Sequence, residues 1–265
     1  MYFTYIKKAV RHRARQAGFK RIDVPIFERK EVFERGIGEH TDVISKELFQ
    51  VHGPAGKKED EQFALRPEFT AGICRSYIEH SMDQLPQPVE LYSFGKCFRY
   101  DRPQKGRYRE FHQFDFEVIG LRDASLDAQL IHVLTRIFSD LHILDRLTLQ
   151  INNIGTGENR RAFSEALRDY FIGKERNLPE IDRNRLESNP LRLLDSKEED
   201  THILLKNAPK LEQVVDDESK EFHETLLEYL DELGIAYVEN ETLVRGLDYY
   251  VQKVFEFWDQ STGAQ

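Results

Sequence analysis

The sequence has only two cysteines, Cys74 and Cys97, which are too few for a disulfide scaffold or a four-cysteine zinc site. It has no run approaching the ~18 apolar residues that a membrane-spanning helix needs. Residues 1–17 carry five basic side chains among the apolar ones, which is not the pattern of a secretory signal. These features together indicate a soluble protein of a reducing cytoplasm.

The sequence also lacks a surplus of positive charge, since its formal net charge is −9. A protein that coats nucleic acid through a broad basic face is therefore excluded. The charge is unevenly spread: residues 96–109 hold six basic residues and one acid, whereas residues 195–241 hold fifteen acids and four lysines. An anionic ligand is expected at the first of these segments, although a solvated basic turn is the simpler alternative.

Several catalytic motifs are missing. We find no G-x-x-x-x-G-K-[ST] loop, no H-E-x-x-H, no C-x-x-C and no G-x-S-x-G elbow. The nine histidines are scattered, so no metal held by protein side chains is predicted. If the protein uses ATP, it does so without a P-loop.

The remaining pattern mixes helices with strands. Helical spacing predicts helices over residues 2–17 and 68–79 and from Ser125, which we expect to cap its helix, to Leu141. Gly18 is expected to end the first helix. Strands are predicted over 21–24, 89–101, 109–119, 147–151, 236–239 and 250–257. Between them, residues 156–235 are mostly helical and charged, which indicates an inserted subdomain.

The two strands around residue 105 carry the clearest functional signal. Strand alternation places Ser93, Gly95, Cys97 and Arg99 on one face, with the apolar side chains on the other. If the strands pair, this face is a floor of small groups with a polar rim of Arg99, Arg109, Gln113 and Glu117. Such a floor suits an amino-bearing substrate and a polyphosphate. An amphipathic edge hairpin with a wet face is the alternative.

Residues 98–113 read Phe-Arg-Tyr-Asp-Arg-Pro-Gln-Lys-Gly-Arg-Tyr-Arg-Glu-Phe-His-Gln. This segment resembles motif 2 of class II aminoacyl-tRNA synthetases, in the form used by histidyl-tRNA synthetases. Residues 65–72 resemble the amino-acid-binding segment of that family, and residues 243–250 resemble its histidine-specific motif. Residues 18–28 are similar to motif 1, and 189–197 to part of the family's insertion domain.

The resemblance implies an α+β fold, with an antiparallel sheet of the class II synthetase type flanked by helices. Residues 1–155 and 236–265 would form the catalytic core, and residues 156–235 the inserted, mainly helical subdomain. Motif 3 and the anticodon-binding domain are not found in the sequence. We therefore expect the core to be incomplete on its C-terminal side and the 265-residue chain to be inactive alone.

The resemblance further implies that L-histidine is joined to ATP as histidyl-adenylate and then transferred to tRNA(His), with Mg²⁺ accompanying ATP. It implies a cytoplasmic homodimer formed through Gly18 to Glu28, with no membrane association. Arg99 and Arg245 correspond to catalytic residues. The histidine contacts correspond to Glu68, Thr70, Arg99, Gln113, Glu117, Arg245, Tyr249 and Tyr250. The ATP contacts correspond to Arg99, Asp101 and Arg107, and the tRNA acceptor contacts to Gln104 and Arg109.

Other interpretations stay open for individual residues and for the whole chain. Glu68 could simply be a favourable charge at a helix N-terminus, and Tyr249 and Tyr250 could be core aromatics. Asp101 stands where class II enzymes usually have Glu. The alternative function is that of a regulatory paralogue, which binds histidine or a partner enzyme without charging tRNA. Such paralogues usually lose the basic motif 2 loop and the insertion, both of which are present in this sequence.

Overall fold

The computed structural model describes residues 2–37, 43–52, 62–101, 106–244 and 250–259. These residues fall into two compact units, one reaching to His142 and the other starting at Ile143. No helix in the described ranges is both long and apolar enough to cross a bilayer.

The first unit alternates helices and strands. Its helices are α1 (Tyr2–Gln16), α2 (Lys30–Ile37), α3 (Thr70–Glu79) and α4 (Ala124–Asp140). Its strands are β1 (Lys20–Arg21), β2 (Phe27–Arg29), β3 (Gln50–Val51), β4 (Phe63–Leu65), β5 (Val89–Phe98) and β6 (Glu110–Ile119). The described strands form one sheet in the order β1-β5-β6 and another in the order β2-β4-β3.

Strands β5 and β6 form the predicted hairpin. They are antiparallel and pair without a break from Val89 opposite Ile119 to Phe98 opposite Glu110. One face of the hairpin packs its aromatic side chains against α1 and α4, where Val10 and Ile137 are fully buried. Burial of this face fixes the register, because a slip of one residue would turn every side chain to the other face.

The second unit contains the segment between residues 156 and 235 together with three strands. Its helices are α5 (Gly157–Phe171), α6 (Glu180–Ser188), α7 (Glu199–Leu205) and α8 (Asp217–Glu232). Strand β7 (Leu147–Gly155) lies between β8 (Tyr237–Glu239), which is parallel to it, and β9 (Gln252–Asp259), which is antiparallel. Helices α5, α6 and α7 share one apolar core that includes Phe163, Leu167 and Leu193.

The sequence-based expectations are largely confirmed at the level of elements. Gly18 ends α1 with a φ of 91°, a left-handed conformation that favours glycine. The prediction that Ser125 caps α4 is wrong. Asp123 is the cap, because its carboxylate accepts a hydrogen bond from the Ser125 amide at 2.8 Å. The strand predicted over 147–151 is longer than expected, since β7 continues to Gly155.

One buried carboxylate stabilises the helical part of the second unit. Asp182 is fully buried and accepts hydrogen bonds from the hydroxyls of Ser196 and Thr201, the latter at 2.6 Å. It also pairs with Arg185 at 2.9 Å. These bonds tie α6 to the segment before α7 and to α7 itself.

Replacing Asp182 with Ala should therefore destabilise the second unit by about 2–4 kcal/mol, because two buried hydroxyls and a guanidinium lose their partner. Trp258, the single tryptophan, lies in β9 of this unit, so urea unfolding followed by its fluorescence measures the effect. Asp169→Ala, at an exposed position of α5, is the matched control. Equal unfolding free energies for the two variants would contradict the assignment.

Candidate functional site

The face of the hairpin turned away from α1 and α4 is built from small side chains. Ser93 and Cys97 are fully buried there, and Gly95 lies between them. Across the register, Gly95 pairs with Gln113 and Ser93 pairs with Asp115. The predicted floor is therefore present, with Gln113, Asp115 and Glu117 following one another at every second position of β6.

The floor is narrower than the alternation alone suggests, because the Arg66 side chain lies on Gly95. A Cβ atom at Gly95 would come 2.8 Å from Arg66 Nη2. Arg66 donates to the carbonyl oxygens of Val24 at 2.6 Å and Lys96 at 2.8 Å, and its guanidinium lies 4.4 Å from the centre of the Phe69 ring. Burial lowers the pKa of this guanidinium. Arg66 thus joins β5 to the segment that carries Glu68.

Glu68 lies at the start of α3 and is buried. Its carboxylate accepts hydrogen bonds from the backbone amides of Thr70 at 2.5 Å and Ala71 at 3.0 Å. Glu68 therefore does satisfy the first amides of the helix, as the simpler alternative proposed. Burial raises the pKa of Glu68, and the backbone bonds and the charge of Arg99 oppose that rise.

Two more carboxyl groups lie close to Glu68. Burial is the largest effect on both and raises the pKa of Asp115 well above its ordinary value and that of Glu117 above its own. For Asp115, the charges of Glu117 and Glu68 add to the rise. For Glu117, hydrogen bonds with Thr70 and Asp115 oppose it. The floor therefore brings Glu68, Thr70, Gln113 and Glu117 together with Asp115.

The two thiols near this cluster carry no charge at neutral pH. Burial, followed by the nearby carboxylates, raises the pKa of Cys74 to about 11. Burial also raises the pKa of Cys97 to about 12. Neither cysteine is a reactive nucleophile, since that chemistry requires a thiolate.

The basic rim lies at the end of the hairpin where residues 99–109 connect β5 to β6. Arg99 donates from Nε to the Pro67 carbonyl oxygen at 3.0 Å, which orients its guanidinium beside Glu68. Arg107 forms an exposed ion pair with Asp101 at 3.1 Å. The Arg109 guanidinium stacks 3.9 Å from the centre of the Tyr100 ring. Planar cations held in this way are suited to phosphate and carboxylate ligands.

Four of the predicted site residues are not seen at the hairpin, because three lie outside the described residues and one belongs to the second unit. Gln104, Arg245 and Tyr249 lie outside the described residues. Tyr250 belongs to the second unit, where it is partly buried and packs against the apolar core of that unit. This packing agrees with the alternative that Tyr250 is a core aromatic.

Sequence reasoning missed the roles of Arg66 and Asp115. Arg66 shapes the floor from a loop, and no periodicity predicts where a loop arginine lies. Asp115 shares the parity of Gln113 and Glu117, so alternation puts it on the same face, although no site role is predicted for it. Its closeness to Glu68 depends on the approach of α3, which only the tertiary structure provides.

The described residues do not offer a metal site. Within those ranges, no three His, Cys, Asp or Glu side chains are grouped as ligands for an ion. The carboxyl groups of Asp115 and Glu117 lie on the same face of β6, and burial raises the pKa of both.

The hairpin floor, the arginine rim and the α+β architecture define a fold of the class II aminoacyl-tRNA synthetases. Solved structures agree with this class. The apo histidyl-tRNA synthetase of S. aureus superposes with a TM-score of 0.73 at 33% identity, over 97% of this chain and 57% of that one. A Bacillus halodurans C protein described as an ATP phosphoribosyltransferase regulatory subunit/histidyl-tRNA synthetase has a TM-score of 0.67 at 21% identity. The match covers 99% of this chain and 69% of the Bacillus protein. At this level of identity it is evidence for the fold only.

Sequence comparison gives the family. The profile of the histidyl-tRNA synthetases matches residues 3–265. The histidine--tRNA ligase of Rickettsia bellii is 42% identical over 98% of this chain and 62% of its own length. The chain belongs to the histidyl-tRNA synthetase family. It spans about three fifths of the length of the curated relatives that it matches.

The buried carboxyl cluster makes a prediction about stability. A carboxyl group whose pKa is raised by folding favours the folded state most below its unfolded pKa of about 4, and that contribution is lost as the pH rises through the folded pKa. Native stability of the hairpin should therefore fall as the pH rises above about 4, and Asp115→Asn should reduce this fall.

Hydrogen exchange of the β5 and β6 amides measures this local stability. The control is Glu110→Gln, an equivalent change at an exposed position at the start of β6, which should alter stability by less than about 1 kcal/mol. If Asp115→Asn and the native chain lose protection in parallel as the pH rises, Asp115 does not titrate as described.

Proposed function

We propose that the protein to which this chain belongs joins L-histidine to tRNA(His) at the expense of ATP, through histidyl-adenylate. The observation that carries the proposal is the hairpin of β5 and β6, where a buried carboxyl floor ends in an arginine rim. The floor offers acceptors for the nitrogens of an amino acid, and the rim offers donors for a carboxylate and phosphates. Family membership supports histidine as the amino acid.

In adenylate formation, a carboxylate oxygen of histidine attacks the α-phosphorus of ATP, and pyrophosphate leaves. Negative charge then builds on the α-phosphate oxygens, and a fixed guanidinium stabilises it best. Arg99 is suited to this role because its bond to the Pro67 carbonyl orients it before any ligand arrives. We assign the second catalytic cation to Arg245, on the resemblance of its motif.

Recognition of histidine requires polar contacts that other amino acids cannot satisfy. Glu68, Thr70, Gln113 and Glu117 lie together at the floor and provide such contacts, and we add Tyr249 and Tyr250 on resemblance. A site built on buried hydrogen bonds rejects analogues that lack them by large factors, because its own groups are then left unpaired.

The contacts with ATP, Mg²⁺, tRNA and a second subunit follow from the same proposal. Asp101 and Arg107 would contact ATP, Mg²⁺ would neutralise its outer phosphates, and Gln104 and Arg109 would face the tRNA acceptor end. The homodimer would form through residues 18–28, a segment in which Ile26 and Phe27 are about half exposed. The division into a core of 1–155 and 236–265 and an insertion of 156–235 stays a prediction.

ATP–pyrophosphate exchange with each amino acid tests the activity. We expect the full product of the gene to catalyse exchange with L-histidine alone, and the 265-residue chain to show no more than a trace. Histidine binding without any exchange by the full product would favour the regulatory alternative. Robust exchange by the 265-residue chain would show that our assignment of the site is incorrect.

Two floor substitutions test histidine recognition. Glu117→Gln and Gln113→Ala should each weaken histidine binding by about 1–3 kcal/mol, because each leaves a buried polar group of the complex without its partner. Calorimetric titration of the full product with L-histidine measures the change. Glu110→Gln, on the opposite face of β6, should leave the dissociation constant unaltered. Unchanged affinity in both floor variants would remove the hairpin from the histidine site.

A further inference from the structure

Arg66 is a buried arginine between the floor of the hairpin and the loop that follows β1. It stands directly after β4 and is 7% exposed. Its Nη1 atom donates to the Val24 carbonyl oxygen at 2.6 Å, and its Nε atom donates to that of Lys96 at 2.8 Å. A buried guanidinium is costly unless hydrogen bonds replace its water. The two carbonyl oxygens supply such bonds and fix the plane of the guanidinium.

The backbone of Arg66 is held by the same two parts of the fold. Its amide donates to the Ile26 carbonyl oxygen at 2.8 Å, and its own carbonyl oxygen accepts from the Phe98 amide at 3.0 Å. Backbone and side chain are therefore each bonded both to residues 24–26 and to β5. Arg66 cannot move relative to the hairpin unless several of these bonds break.

The fixed position of Arg66 is passed on to two groups of the proposed site through Pro67. The Pro67 carbonyl oxygen accepts the bond from Arg99 Nε at 3.0 Å, and Glu68 follows directly in the chain. Because the proline ring locks its own φ, the chain from Arg66 to Glu68 has little freedom. The bonds of Arg66 therefore set both the place of the Glu68 carboxylate and the direction of the Arg99 guanidinium.

Gly95 of β5 leaves the space that the Arg66 guanidinium occupies. A Cβ atom at Gly95 would lie 2.8 Å from Arg66 Nη2 and 3.4 Å from Cζ of Phe69. The guanidinium also lies 4.4 Å from the centre of the Phe69 ring, which is itself buried. Gly95 does not have a positive φ, so the close approach of Arg66 accounts for a glycine at this position of the strand.

We propose that Arg66 is a positioning residue of the amino-acid pocket, which holds the Glu68 carboxylate and the Arg99 guanidinium in their binding geometry. In this role Arg66 contacts neither histidine nor ATP, and the space at Gly95 belongs to Arg66 rather than to the ligand. The inference rests on the proposed function for the identity of the amino acid. A misplacement of about 1 Å in such groups can cost about 10²-fold in rate.

Arg66→Lys keeps the charge but loses the fork that reaches Val24 and Lys96 together. In the full product of the gene, it should raise the dissociation constant for L-histidine about tenfold and slow single-turnover adenylate formation by about 10²-fold. Calorimetry and rapid quenching measure the two effects. Unchanged affinity and rate in the folded variant would make Arg66 a purely structural residue and would overturn the inference.

Arg13→Lys is the matched control. Arg13 also holds a forked contact, since its Nε and Nη2 atoms donate to the Asp140 carboxylate at 2.7 and 2.6 Å, but this pair joins α1 to α4. The control should lower the thermal unfolding midpoint and leave histidine affinity and the adenylation rate unaltered. Equal losses of affinity in Arg13→Lys and Arg66→Lys would show a general effect of stability and would also overturn the inference.

Gly95→Ala reaches the same guanidinium from the strand. Alone, it should weaken histidine binding, because the new methyl group displaces Arg66 Nη2. Combined with Arg66→Lys, it should add little, since lysine has no Nη atoms for the methyl group to meet, and the two losses should not be additive. Equal losses from Gly95→Ala in both backgrounds would assign the space at Gly95 to the ligand and overturn the inference.

If Arg66→Lys does not fold, Gly95→Ala alone decides. A raised dissociation constant together with a lower thermal midpoint of the ligand-free protein supports the inference, because the methyl group then strains the protein before any ligand arrives. An unchanged dissociation constant, or a raised one with an unchanged midpoint, overturns it. Failure of the native protein to bind L-histidine would instead overturn the proposed function.

Discussion

The register between β5 and β6 is the constraint on which the site depends. Because the pairing is unbroken over both strands, the parity of each residue decides whether it enters the core or the floor. The aromatic face holds that register by packing on α1 and α4. Gln113, Asp115 and Glu117 are thereby presented together, on a rigid element rather than on a mobile loop. Such rigidity is what recognition and catalysis by fixed groups require.

The second feature of the site is the way in which its acidic and basic side chains are separated. The loop before α3 brings Glu68 to the carboxyl groups of β6, and it brings Arg66 to the backbone of β5. Since Arg66 is engaged by carbonyl oxygens, it organises the loop without neutralising the acids. The site therefore keeps acidic groups in the floor and basic groups at the rim. In the proposed function, the floor would face nitrogens of the amino acid, and the rim would face its activated carboxylate and the phosphates.

The sequence predicts much of this arrangement because strand alternation is a local signal. The hairpin, its apolar face and the small residues of its floor all follow from period-two spacing. What the sequence does not predict depends on tertiary approach. The position of Arg66 over Gly95 requires knowledge of where a loop crosses a strand, and the burial of Asp115 requires the placement of α3. The cap of α4 was mispredicted because Asp123 and Ser125 are both good capping residues at neighbouring positions.

The central claim is that the hairpin floor is the histidine pocket. A crystal structure of the full product with L-histidine bound tests this claim most directly. The account predicts that histidine lies on the face of Gly95 and Gln113, with at least one of its nitrogens within about 3.2 Å of the Glu117 carboxylate. Histidine bound at a place without contact to β6 would contradict it.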